Sequence, residues 1–116
     1  MASVTCAAYK AALALLERDM PPKHRLLLEC HYRAPRHTVT ARSLARSVGY
    51  ASYGAVNLQY GTLARKICDI LGQRLEYHVL IVAKFVQPKN GEILWIMRPA
   101  LARALEEMGW VVEGLR

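Results

Sequence analysis

The sequence predicts an α+β domain that is mostly helical and carries a β-hairpin near its C-terminal end. Three observations predict it. Apolar residues recur at helical spacing through most of the chain as far as Gly72. Capping residues and helix breakers sit at the ends of those stretches. Beyond Gly72 the chain turns rich in Val, Leu, Ile and Phe around an Asn-Gly pair, which is hairpin chemistry. A length of 116 residues, 53% of them apolar and 22% charged, suits one globular domain over 1–116.

The elements follow in order. Residues 5–18 read as a helix with Cys6, Tyr9, Leu13 and Leu16 on one face. Pro21-Pro22 ends it and opens a second helix, since proline is tolerated in a first turn. That helix runs to about Tyr32, turns Leu27, Cys30 and His31 inward, and is stopped by Ala34-Pro35. Residues 37–40 form a short extended piece, and Thr40 caps a short helix over 41–48 that Gly49 closes. Its buried stripe is Leu44, Ala45 and Val48. A turn over 50–54 leads to a longer helix at 55–71, ending at Gly72.

The last third changes period. Residues 77–86 read as a strand, Pro88-Lys89-Asn90-Gly91 as a turn, and 92–97 as the returning strand. Pro99 opens a final helix over 100–108, closed by Gly109, and Trp110-Val111-Val112 adds a short strand or packs as a tail. A short helix, tight turn and longer helix across 40–72 have the layout of a helix-turn-helix. With the hairpin as a wing and extra helices at both ends, the element order is that of a winged helix-turn-helix domain.

Sixteen Lys and Arg against nine Asp and Glu give a net charge of +7, which favours polyanionic partners. An anionic membrane is the competitor. No stretch sets its cations opposite a large apolar face, and no apolar run reaches the roughly 18 residues of a spanning helix. The start of the chain lacks a basic leader segment, and Lys10 interrupts its apolar run. Cys6, Cys30 and Cys68 are odd in number and widely spaced, without a zinc pattern. Free thiols suit a reducing cytoplasm, with no membrane partner.

On a helical wheel, Val56, Tyr60, Leu63, Ile67 and Ile70 make the core face of the 55–71 helix. The opposite face carries Asn57, Leu58, Gly61, Arg65 and Asp69. Two of these are out of place on an idle surface. Leu58 is an exposed apolar residue, and a mid-helix glycine at 61 costs about 1 kcal/mol relative to alanine. Such a glycine makes sense where a phosphate backbone, a base edge or another helix must approach closely, or where it relieves crowding within the chain.

Asn57 suits bidentate pairing with adenine, and Arg65 suits guanine or phosphate. Arg42 and Arg46 lie on the preceding helix, where backbone phosphates are met, and Thr40 stands at its start. Ser52 and Tyr53 offer hydroxyls near the long helix's N-terminus, and Lys66 flanks it. Lys84, Lys89 and Asn90 belong to the hairpin. Together these form the expected DNA-binding set.

The run from Thr40 through Ala41, Leu44, Ala45, Val48 and Gly49 to Tyr50 resembles an opening common in helix-turn-helix proteins. The continuation Ala55-Val56-Asn57-Leu58-Gln59-Tyr60-Gly61-Thr62-Leu63 resembles a narrower pattern. It is that of small modules found alone or beside HNH-type restriction endonucleases in bacteria. The resemblance covers 40–72, about a third of the chain, and 95–110 agrees loosely. It implies a DNA-reading module serving a restriction system, with sensing of modified bases among its uses. The chain departs from the nuclease-fused form, because it lacks the paired histidines and zinc-binding cysteines of an HNH domain. Catalysis would then reside on a nuclease partner.

Signals for chemistry within the chain itself are weak. His24 and His31 share a helix with Cys30, but without a carboxylate orienter or paired ligand spacing, and His37 and His78 stand apart. Glu106-Glu107 lacks a partner acid, and no nucleophile elbow, phosphate loop or HExxH is present. The expectation is a non-enzymatic module without metal or cofactor, binding duplex DNA in a bacterial regulator or a restriction or defence system. The competing expectation is a protein-interaction module, such as a homodimer, with Leu58 and Gly61 at a helix-helix contact.

Overall fold

Helix boundaries follow from local caps. The computed structural model describes residues 3–113. Helix α1 (Cys6–Glu17) starts where the Thr5 hydroxyl accepts the Ala8 amide at 3.1 Å. Helix α2 (Pro22–Arg33) opens on its proline and ends at Ala34, whose amide turns back to the carbonyls of Cys30 and His31. Helix α3 (Ala41–Val48) carries a reciprocal cap: the Thr40 hydroxyl accepts the Ser43 amide and the Ser43 hydroxyl accepts the Thr40 amide. Gly49 and Gly72, at φ 87° and 65°, end α3 and α4 (Tyr53–Leu71) in the left-handed region that glycine enters without penalty. Helix α5 (Pro99–Glu107) completes the helices among the described residues.

Three short strands form one antiparallel sheet in the order β1-β3-β2, so the architecture is α+β and mostly helical. They are β1 (Thr38–Val39), β2 (Ala83–Val86) and β3 (Leu94–Met97). Phe85 and Val39 both pair with Trp95, one from each side.

Three expected segments are corrected here. The long helix begins at Tyr53, two residues before position 55, because Ser52 and not Gly54 adopts the extended N-cap conformation. The strand expected over 77–86 is only Ala83–Val86, preceded by a 3-10 turn at His78–Ile81. There the amides of Leu80 and Val82 close on the carbonyls of Tyr77 and Val79, while Arg98 takes the carbonyls of Leu80 and Val82. No neighbouring strand is needed to satisfy them.

The extended piece at 37–40 is likewise shorter. Pro35–His37 is a 3-10 turn with Arg36 and His37 at φ 56° and 54°. The His37 Nδ1–H donates to the Tyr32 carbonyl at 2.6 Å and holds that turn against α2. Of the two readings of 110–112, the packed tail is the one found: Trp110 and Val111 are buried, with the Arg25 guanidinium 4.3 Å from the Trp110 ring centre.

Helix α4 is the spine of the core. Val56, Tyr60, Leu63, Ala64, Ile67 and Cys68 are buried along it against α1, α2, α3 and the His78–Ile81 turn. Ile70, expected inward, is 38% exposed, because the turn at His78–Ile81 lies over the Ala64 and Cys68 side. The Tyr9 hydroxyl donates to the Ile81 carbonyl at 2.7 Å and ties α1 to the same turn, and burial pushes its pKa up to about 12.

Fully buried His31 joins three elements. Its Nε2–H donates to the Trp95 carbonyl of β3 at 3.0 Å, and its Nδ1 accepts the Tyr60 hydroxyl of α4 at 2.9 Å. The carbonyl can only accept, which fixes the neutral tautomer. Burial pushes the His31 pKa down to about 4. The unfolded ring titrates near the usual value of about 6.5, so the unfolded chain takes the proton first on acidification. Stability therefore falls as pH drops from about 6.5 to about 4. In urea melts across this window the parent chain is expected to lose about 3 kcal/mol more than His31→Gln. Parallel profiles would show that His31 is not held neutral.

Candidate nucleic-acid interface

The period of α4 turns Asn57, Leu58, Arg65 and Asp69 to solvent and leaves Gly61 half-exposed. No α1 or α5 residue lines the groove that this face borders. The opposite wall of the groove, about 950 Å³ in volume, is the hairpin. Phe85 and Trp95, with ring centres 5.2 Å apart, lie at its base. Trp95 in turn stacks on buried Tyr60 at 6.1 Å, so an aromatic series runs from the core to the groove. Tyr53, Leu58 and Tyr77 border it and are 53%, 65% and 61% exposed.

Of the residues expected to bind DNA, Arg42, Tyr53, Asn57, Gly61 and Arg65 line this one groove. Ser52 is exposed beside Tyr53, with no side-chain bond to the helix it caps. Lys89 and Asn90 are exposed in the 87–93 loop, which the Gln87 side chain closes by donating to the carbonyls of Pro88 and Gly91 at 3.2 Å. That loop is longer than the tight Asn-Gly turn the sequence suggests. Arg46 is exposed one turn beyond Arg42, on the same side of α3.

Three expected residues lie apart. The Thr40 hydroxyl is occupied in capping α3. Lys84 alternates with Phe85 along β2 and so takes the other face of the sheet. Lys66 borders a small cleft beside His24 and Met20, on another flank of α4.

Charges of both signs meet at the groove. Arg42 Nε donates to Glu92 Oε1 at 3.1 Å, and its guanidinium lies 5.5 Å from the Tyr53 ring centre. With both side chains about half exposed, this pair is worth about 0–1 kcal/mol and can be exchanged for another anion. Glu76 also lines the groove. Among the described residues no ion pair engages Arg46, Arg65, Lys66, Lys84 or Lys89. None of their His, Cys, Asp and Glu side chains form a group of three able to hold a metal ion. Nor does any helix among them have the length and apolarity to cross a membrane.

Sequence reasoning missed the groove's other side: Glu76 and Tyr77 ahead of the 3-10 turn, and Phe85, Glu92 and Trp95 of the hairpin. The only signal was the aromatic content of the hairpin, which a buried strand explains equally well.

Gly61 is the most informative position. A Cβ built there meets nothing within 4 Å, and its φ lies outside the left-handed region. Neither crowding nor backbone conformation within the chain requires the glycine. Gly61→Ala is therefore expected to raise stability by about 0.5–1 kcal/mol in urea denaturation. A loss of stability would mean that α4 needs the glycine for its own packing. No protein family, curated protein or solved structure matches the chain.

Proposed function

We propose that this chain is a non-enzymatic winged helix-turn-helix module that lays the outer face of α4 against duplex DNA. The observation that carries the reading is an open helix face with an unneeded glycine at its centre, flanked by Asn57 and Arg65. A helix without side-chain bulk there can bring its backbone close to a polyanion. The element order supports the reading: α2, β1, α3, a turn at 49–52, α4, then a β2-β3 hairpin whose β3 also pairs with β1. So does the +7 charge.

On this reading Asn57 and Arg65 meet base edges, and Arg42 and Arg46 meet phosphates from α3. Ser52 and Tyr53 bond a phosphate at the start of α4. Lys89 and Asn90 follow the backbone from the hairpin loop. The setting is a regulator or the DNA-reading part of a restriction or defence system, with any cleavage carried out by a nuclease partner.

A second reading is protein docking, and one observation favours it. Tyr53, Leu58, Tyr77 and Ile93 are exposed apolar or aromatic side chains around one groove. A homodimer that Leu58→Glu dissolves, in a chain that shifts no DNA, would establish it.

Binding of a labelled duplex at several salt concentrations tests the DNA reading. Affinity is expected to fall steeply with salt, by a log-log slope of about 0.9 per phosphate contact. Arg65→Ala and Asn57→Ala are each expected to cost about 1–3 kcal/mol while the fold persists. Gly61→Ala is expected to weaken binding despite its more stable helix. Variants that bind like the parent would remove α4 from the interface.

A further inference from the structure

We infer that the groove between α4 and the hairpin seats a single unpaired nucleobase bearing an exocyclic amino group. The inference rests on the reading of α4 as a nucleic-acid-binding face and names what its groove takes. A polyanion lying along Asn57 and Arg65 covers the groove mouth, and something must fill or desolvate the space beneath. Phosphate suits Arg42 and Arg65 but not the remainder of the lining. Leu58 and Phe85 offer it no donors, and the carboxylates of Glu76 and Glu92 repel it.

What the groove does favour is the flat, uncharged part of a nucleotide. Aromatic side chains stack on any base. Carboxylates accept hydrogen bonds from exocyclic amino groups, as on cytosine. Thymine has no such group. The volume of about 950 Å³ is at the upper end of ordinary ligand clefts, ample for one base with part of its sugar. Extruding a paired base costs energy, so a base already unpaired is favoured.

The test is fluorescence anisotropy with three duplexes of one sequence: fully paired, with one bulged cytosine, and with one bulged thymine. The cytosine bulge is expected to bind about 10-fold tighter than the paired duplex, and the thymine bulge less tightly than the cytosine. Tyr77→Ala, at an exposed side chain on which the core does not depend, is expected to bring the bulged-to-paired ratio near one. Tyr77→Phe keeps the ratio, and Glu76→Gln erases the distinction between cytosine and thymine.

Equal affinity for all three duplexes overturns the base seat while leaving the duplex reading intact. Failure to bind any of them overturns both. A dimer dissolved by Leu58→Glu but not by DNA assigns the groove to a second copy and also overturns the inference.

Discussion

The buried His31 ring is the point on which the candidate site depends. It lies between the hydroxyl of Tyr60 on α4 and the carbonyl of Trp95 on β3. The two walls of the groove are thereby hydrogen-bonded to one side chain of a third element. Loss of the ring leaves two buried polar groups without partners, each costing about 1–3 kcal/mol. The stacking of Tyr60 on Trp95, and of Trp95 against Phe85, carries the same constraint outward to the groove. Burial keeps the ring uncharged, which allows a bond acceptor and a bond donor to face it from opposite sides.

The rest of the packing is arranged around that junction. Helix α1 packs on α5 and on α4, while the His78–Ile81 turn covers the Ala64 and Cys68 side of α4. The buried side of α4 is thus fully committed and its outer face remains available. In the proposed reading this division of labour matters more than any single charge. An inner face locked by aromatic packing holds Asn57, Gly61 and Arg65 in fixed relation to the hairpin loop, and a rigid element positions contacts better than a mobile one.

Much of the fold was legible because its signals are local. Thr40, Gly49, Pro22 and Gly72 mark helix ends through chemistry confined to one turn. The two faces of α4 follow from a period that the sequence displays directly. The segment 77–86 was not legible, because an apolar β-branched run suits a strand and a 3-10 turn packed on the core equally. What separates the two is whether a partner strand or Arg98 meets the backbone groups, and Arg98 stands far along the chain. The left-handed Arg36 and His37 were equally hidden, since they are held by the Tyr32 carbonyl and not by glycine.

The candidate site divides in the same way. Its α4 half was readable from helical spacing, whereas its hairpin half depends on contacts such as Arg42 with Glu92, fifty positions away. Lys66 and Lys84 failed to join it because helical and strand geometry send them to other faces. Amide chemical-shift mapping during titration with a short duplex tests the central claim most directly. The account predicts that shifts concentrate in 42–46, 52–65 and 87–93 and spare α1 and α5. Shifts centred on α1 or α5, or none at saturating duplex, would contradict it.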